Sequence, residues 1–162
     1  MCIAQITAKM IAYFNGDVPR VNHALKVYGF ASTIARIECL DMHVIEIIDI
    51  AAVLHDIGIV NAEKKYNSTA GNYQEIEGPP VAKALLEEYN LSEALVERIC
   101  FLIGNHHSYD KIDGVDFQIL VEADFLVNIF EDNMSKNAID SIRKKYIKTT
   151  AGKTIFDQLY AT

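Results

Sequence analysis

The 162-residue sequence holds five histidines, His23, His43, His55, His106 and His107. His55 is followed directly by Asp56 at the close of an apolar stretch, AAVLHDIG. His106 and His107 are adjacent, just past Gly104, and Asp124 interrupts a second apolar stripe, VEADFLVNIF. A carboxylate buried in such a stripe changes its protonation or takes a cation as partner. An ion pair with Lys or Arg is one answer, and a divalent metal is the other. The placement of His55-Asp56 favours the metal. The end of a helix already carries free carbonyls and partial negative charge, and a carboxylate there adds to it. Neutral imidazole with carboxylate suits Mn²⁺, Fe²⁺, Ni²⁺, Co²⁺ or Zn²⁺. Adjacent helical residues point about 100° apart, so the pair shares one ion only where the helix ends or bends. Gly58 is expected to supply that end.

His23 lies in PRVNHALKVYGFA, with Arg20 and Lys26 three residues to either side. All three share one helix face. Two readings stand. One is a solvated basic face, paired with Asp17 or Glu38. The other is phosphate binding by Arg20 and Lys26 beside a metal held by His23. His43 has only Asp41 near it in sequence and reads as an ordinary helix residue.

Apolar residues recur at helical spacing almost throughout, and alternating strand patterns are scarce. The expected fold is therefore all-α, one domain over 1–162, a bundle of about six to eight helices. Helix one is expected over 2–14, closed by Asn15-Gly16. Helix two runs from about 18 to 40, with Asp17 as N-cap and Pro19 in the first turn. Helix three runs from 42 to 56, capped by Asp41. Residues 59–73 read as a long surface loop, either a cover over the site or a plain connector. A fourth helix starts near Gln74 or after Pro79-Pro80 and ends near Asn90. A fifth runs from Ser92 to about Asn105, and a sixth over 117–132 with Asp116 as its cap. Segments 136–148 and 153–160 complete the chain and pack on a motif-bearing core of about 18–133.

Composition narrows the classes. Apolar types make up 51% and charged ones 23%, which fits a filled interior and excludes a disordered chain. The net charge of −7 disfavours wrapping of a nucleic-acid polymer, while a small anion drawn by a local cation stays compatible. Cys2, Cys39 and Cys100 are far apart, odd in number and without CxxC spacing, so neither a disulfide framework nor a cysteine zinc site is expected. A reducing cytoplasm is the expected setting. No apolar run reaches membrane length. The apolar first helix can pack in the core or in a homo-oligomer interface.

The order His23, His55-Asp56, Asp124 resembles the H…HD…D pattern of the HD-domain superfamily of metal-dependent phosphohydrolases, over about residues 18–133. The resemblance implies a helical bundle in which His23, His55, Asp56 and Asp124 hold one divalent ion. It also implies hydrolysis of phosphoesters of nucleotides or related small phosphates. Two-metal members add histidines. The later His-His is present as His106-His107, whereas the earlier position falls in GNYQEIEGPP, which has none. There Glu75 or Glu77 can serve as an oxygen ligand or cap a helix start. The HDxxED pattern of the alarmone branch and the GYP motif of the cyclic-di-GMP branch are absent.

The implied mechanism uses a metal-activated water, with Arg20 and Lys26, and less directly Lys111, neutralising the phosphate. Glu75, Glu77 and His107 are the candidates for general acid or base. A phosphomonoester fits one metal, and two would favour a phosphodiester. The competing functions are a non-catalytic metal- or nucleotide-binding sensor using the same pocket, and a helical interaction domain whose polar residues are structural.

Overall fold

Asp17 opens the helix that carries the first histidine. Its carboxylate accepts from the Arg20 N–H at 3.2 Å, and Pro19 occupies the first turn, where a missing N–H costs nothing. The computed structural model describes residues 3–160, and among these residues it contains nine α-helices, two short 3₁₀ turns and no strand. In chain order they are α1 Ile3–Phe14, α2 Val18–Ile37, α3 Met42–Leu54, α4 Ile59–Tyr66, α5 Gly71–Leu86, α6 Glu93–Ile103, α7 Val115–Glu131, α8 Lys136–Lys145 and α9 Thr150–Tyr160. The all-α single-domain expectation holds. Residue 2, where helix one was expected to begin, and Cys2 itself lie outside the described residues.

The helix that the sequence does not predict is α4, in the segment expected to be a loop. IVNAEKKY contains good helix formers, and Ala62 is buried. Its polar composition reflects a mostly solvated helix, not an absence of structure. Gly58 does not end α3 through a left-handed turn. Its φ is −74°, and it opens α4. Its small size is needed because α5 crosses there: a Cβ at residue 58 would lie 2.5 Å from Gln74 O and from Gly78 N.

Helix α2 stops at Ile37, short of the expected Leu40. Cys39 adopts φ 56°, and the N–H groups of Leu40 and Cys39 turn back to Ala35 O and Arg36 O, both at 3.2 Å. This is the reversed closure usually assigned to glycine. Asn133 closes α7 the same way, and Asn15, Asn67 and Asn90 also take positive φ at helix ends. Helix α5 starts at Gly71 and runs through Pro79 and Pro80, which had been read as a break or a start. Asp116 is not the cap of α7, which begins at Val115 with Gly114 as its N-cap. Its carboxylate instead pairs with Arg98 at 2.7 Å. Ser92 caps α6 as expected.

The core gathers around α2, α3 and α7. Helix α3 is buried nearly all round, from Ile45 to Leu54, and α7 from Phe117 to Val127. The C-terminal pair α8–α9 is tied to α7 by Glu122, which is wholly buried. Its carboxylate accepts from Gln118 Nε2, from the Lys148 and Thr149 N–H groups at 2.6 and 2.8 Å, and from Thr149 Oγ1 at 2.5 Å. Gly152 leaves room for that carboxylate, which a Cβ would overlap. No helix among the described residues is long and apolar enough to cross a membrane.

Candidate metal centre

Four elements converge on one point. His23 projects from α2, His55 and Asp56 from the tight turn after α3, Asp124 from the middle of α7, and His106 from the turn after α6. The α3 turn is closed by Ile57 N to Leu54 O and Ile59 N to Asp56 O, each at 3.0 Å. That turn swings Asp56 away from the helical progression, so adjacent residues face the same point.

Each imidazole is oriented from behind. His55 Nδ1 donates to Ala52 O at 2.8 Å, His106 Nδ1 to Ile103 O at 2.8 Å, and His23 Nδ1 lies 2.7 Å from Glu131 Oε2. The Nε2 atoms are left to face inward. His23 Nε2 stands 3.1 Å from His55 Nε2, 3.6 Å from Asp56 Oδ2 and 3.3 Å from Asp124 Oδ1. His55 Nε2 stands 3.5 Å from Asp56 Oδ2 and 3.7 Å from Asp124 Oδ1. His106 Nε2 reaches the other oxygen, Asp56 Oδ1, at 3.3 Å. Donor atoms about 2.1 Å from a shared ion stand about 3.0 to 3.4 Å apart at right-angled or tetrahedral positions. The separations start in that range and widen slightly beyond it.

Two imidazole lone pairs facing each other at 3.1 Å repel unless a cation lies between them. Without a metal, a proton on His23 meets that demand. Burial pushes the His23 pKa down, but the hydrogen bond to Asp124 and the charge of Asp56 outweigh it and raise it to about 9. Burial holds His55 below its usual value. Burial also opposes ionisation of Asp56 and Asp124. The surrounding imidazoles nevertheless hold both carboxyls below the usual carboxylate range, His55 foremost for Asp56 and His23 for Asp124. The arrangement is two carboxylates and three oriented imidazoles in the interior, a donor set suited to a borderline divalent ion.

The other candidates are placed differently. His107 packs against His106, ring centroids 4.0 Å apart, and its ligand atoms lie within 4.8 Å of those of Asp56 and His106. Burial and the charge of His106 push its pKa down to about 4. Glu75 accepts from the His107 N–H at 3.0 Å and Ser108 Oγ at 3.1 Å, so it braces the turn that carries His106. Glu77 is taken by Lys65 at 2.6 Å and the Tyr66 hydroxyl at 3.1 Å. Lys111 is exposed and donates to Asn105 Oδ1 at 2.7 Å. Among the described residues no hydrogen bond or ion pair links Glu77 or Lys111 to the convergent groups. Arg20 makes a two-pronged pair with Glu63 at 2.6 and 3.0 Å, and a further one with Asp17 at 3.1 Å. Its pKa is raised, first by Glu63 and also by the field of Asp56. Lys26 is paired with Glu131. Each cation of the α2 face therefore already has a carboxylate; of the two expected partners Asp17 pairs with Arg20, whereas Glu38 instead accepts from the Ala151 N–H at 2.6 Å. His43 is exposed on α3.

Two supporting residues escaped the sequence reading. Asn128 donates to Asp124 Oδ1 at 2.9 Å, and Glu131 orients His23. They stand four and seven residues past Asp124, on its face of α7, and that spacing was the available signal.

The family model for the HD domain matches residues 20–149. The crystal structure of a predicted HD superfamily hydrolase from an uncultured Thermotogales bacterium is similar in fold, with a TM-score of 0.71 and 23% identity. The match covers 98% of this chain and 84% of that one. No curated protein matches the sequence.

Proposed function

The chain belongs to the HD-domain family of metal-dependent phosphohydrolases, and on that premise we propose that it hydrolyses a phosphomonoester of a small metabolite, a nucleotide or a close relative. The observation that carries the reading is the inward set of three Nε2 atoms and two carboxylates, each imidazole fixed through its Nδ1. His23, His55, Asp56 and Asp124 would hold a divalent ion, drawn from Mn, Fe, Ni, Co or Zn. Such an ion activates water and polarises a phosphoryl oxygen.

The chain's own residues supply the rest. Asp56 offers one oxygen toward His23 and His55 and the other toward His106, so it can join two donor groups. Arg20, within the field of Asp56, gathers the phosphate charge when Glu63 yields to it. Glu131 keeps His23 in the tautomer with its Nε2 free. Of the candidates for acid or base, Glu75 and Glu77 have carboxylates committed elsewhere, and His107, with its pKa pushed down to about 4, suits the role of base better than that of acid. A monoester is preferred because Glu75 and Glu77 are engaged with protein groups and the segment GNYQEIEGPP adds no imidazole.

The sensor reading has one observation in its favour: Arg20 and Lys26 are both already neutralised, by Glu63 and Glu131. Elemental analysis of metal per chain, with Asp56→Ala as control, comes first, followed by release of inorganic phosphate from a panel of nucleoside monophosphates. One ion per chain, lost in Asp56→Ala, with phosphate release is the expected result. No bound ion refutes the metal centre. Bound ion and nucleotide with no turnover on any ester refutes the enzyme in favour of the sensor.

A further inference from the structure

Among the described residues, two buried side-chain polar atoms have no partner: Gln74 Oε1 and His107 Nε2. Buried polar groups are otherwise almost always satisfied, so each such atom calls for an account. Both belong to the same corner of the molecule. Gln74 is only 7% exposed, and its amide nitrogen donates to Thr69 O at 2.7 Å, which leaves Oε1 as the free acceptor. The His107 ring lies flat on Gly71, one turn before Gln74 on the same face of α5. A Cβ at Gly71 would stand 2.5 Å from His107 Cδ2 and 3.1 Å from its Nε2. The His107 N–H is pinned to Glu75 at 3.0 Å. The ring is therefore held from two sides, against the same face of α5 that carries Gln74. His106, next to it, opens onto Asp56 and the metal centre.

The chemistry of the two atoms restricts the occupant. An amide oxygen only accepts a hydrogen bond. A phosphate or carboxylate, which also only accepts, is repelled by it. Imidazole Nε2 donates in one tautomer and accepts in the other. A hydroxyl satisfies both atoms at once, donating to Gln74 Oε1 and accepting from His107 Nε2–H. The geometry points to a hydroxyl-binding subsite made by Gln74 Oε1 and His107 Nε2 beside the metal centre, so that the substrate is a phosphomonoester whose carbon skeleton carries a free hydroxyl close to the phosphate. This rests on the phosphohydrolase reading. It adds what distinguishes one phosphomonoester from another, since a site built to hydrogen-bond a hydroxyl discriminates strongly against its absence.

The test uses the full metal-loaded chain and two non-hydrolysable probes, 3,4-dihydroxybutylphosphonate and butylphosphonate, titrated by calorimetry. They share charge and chain length and differ in their hydroxyls. The diol is expected to bind about tenfold tighter, as one well-made hydrogen bond to a buried acceptor allows. In Gln74→Met the preference should fall to within about twofold, with butylphosphonate affinity and metal content unchanged. Gly71→Ala, whose Cβ displaces the His107 ring and with it Nε2 while leaving Gln74 unchanged, should reduce the preference in the same direction, and it carries the test if Gln74→Met does not fold. Equal binding of the two probes to the wild type overturns the subsite, as does a preference that survives both substitutions. Loss of a metal ion in Gln74→Met also overturns it and makes the two atoms metal donors instead. Failure of both phosphonates to bind refutes the phosphohydrolase reading itself, a result distinct from equal binding.

Discussion

Replacing Gly58 with alanine inserts one methyl group where two backbones cross. The new carbon would stand 2.5 Å from Gln74 O and Gly78 N and 2.9 Å from Gly78 Cα. Ordinary contact begins at 3.4 Å, so α5 and the turn after α3 must part by about 0.9 Å, the difference between 3.4 and 2.5 Å. Neither neighbour is the free end of a flexible side chain, and Gly78 is itself pressed against Ile103. Overpacking of this kind costs about 1–3 kcal/mol. For a domain of this length each kcal/mol moves the melting temperature by about 2–4 °C, so Gly58→Ala should melt about 2–12 °C below wild type. The displaced turn carries Asp56, so metal affinity should fall as well, by about tenfold or more. The assay is thermal melting with and without added Mn²⁺, with Gly29→Ala as control. A Cβ at Gly29 meets nothing within 4 Å, and in mid-helix it should leave the melt unchanged or raise it slightly. A Gly58→Ala protein that melts within a degree of wild type and keeps its metal affinity would refute the argument that this glycine sets the spacing between α5 and the centre.

Glu131→Ala removes the acceptor behind His23 Nδ1 and should cost about tenfold to a hundredfold in metal affinity with helicity retained, measured by competition with a chromogenic chelator; unchanged affinity would sink the orienting role. Asp113 is held below its usual pKa by its hydrogen bond to Arg98. Its contribution to stability is therefore fully present above the unfolded value near pH 4 and is lost as pH falls through the lower folded value. Urea midpoints of wild type and Arg98→Gln should accordingly converge between about pH 4 and pH 2, and parallel curves would contradict the pairing.

The sequence already pointed to the centre because its groups are chemically conspicuous. His55-Asp56 and Asp124 break apolar stripes, and no other class of residue explains them cheaply. What supports the centre was harder to read. The backbone acceptors Ala52 O and Ile103 O carry no sequence signal at all. Glu131 looks like any solvated acid at a helix end until α2 is laid beside α7. Helix α4 was hidden because its apolar face is narrow, with Ala62 its one fully buried residue. Gly58 was expected near the correct point but for the wrong reason: its neighbour in space, Gly78, lies on another helix. The end of α2 at Cys39 was harder to place because left-handed closure is usually signalled by glycine.

The buried carboxylate of Glu122 also has a consequence in time. Two of its hydrogen-bond donors, the N–H groups of Lys148 and Thr149, are supplied 26 and 27 residues later in the chain. On a ribosome adding about 5–20 residues per second, that is an interval of about 1–5 s. During it α7 carries an acid it cannot bury without losing hydration and gaining little in return. Full burial of the helix that bears Asp124 therefore depends on the segment leading into α9, which supplies those donors.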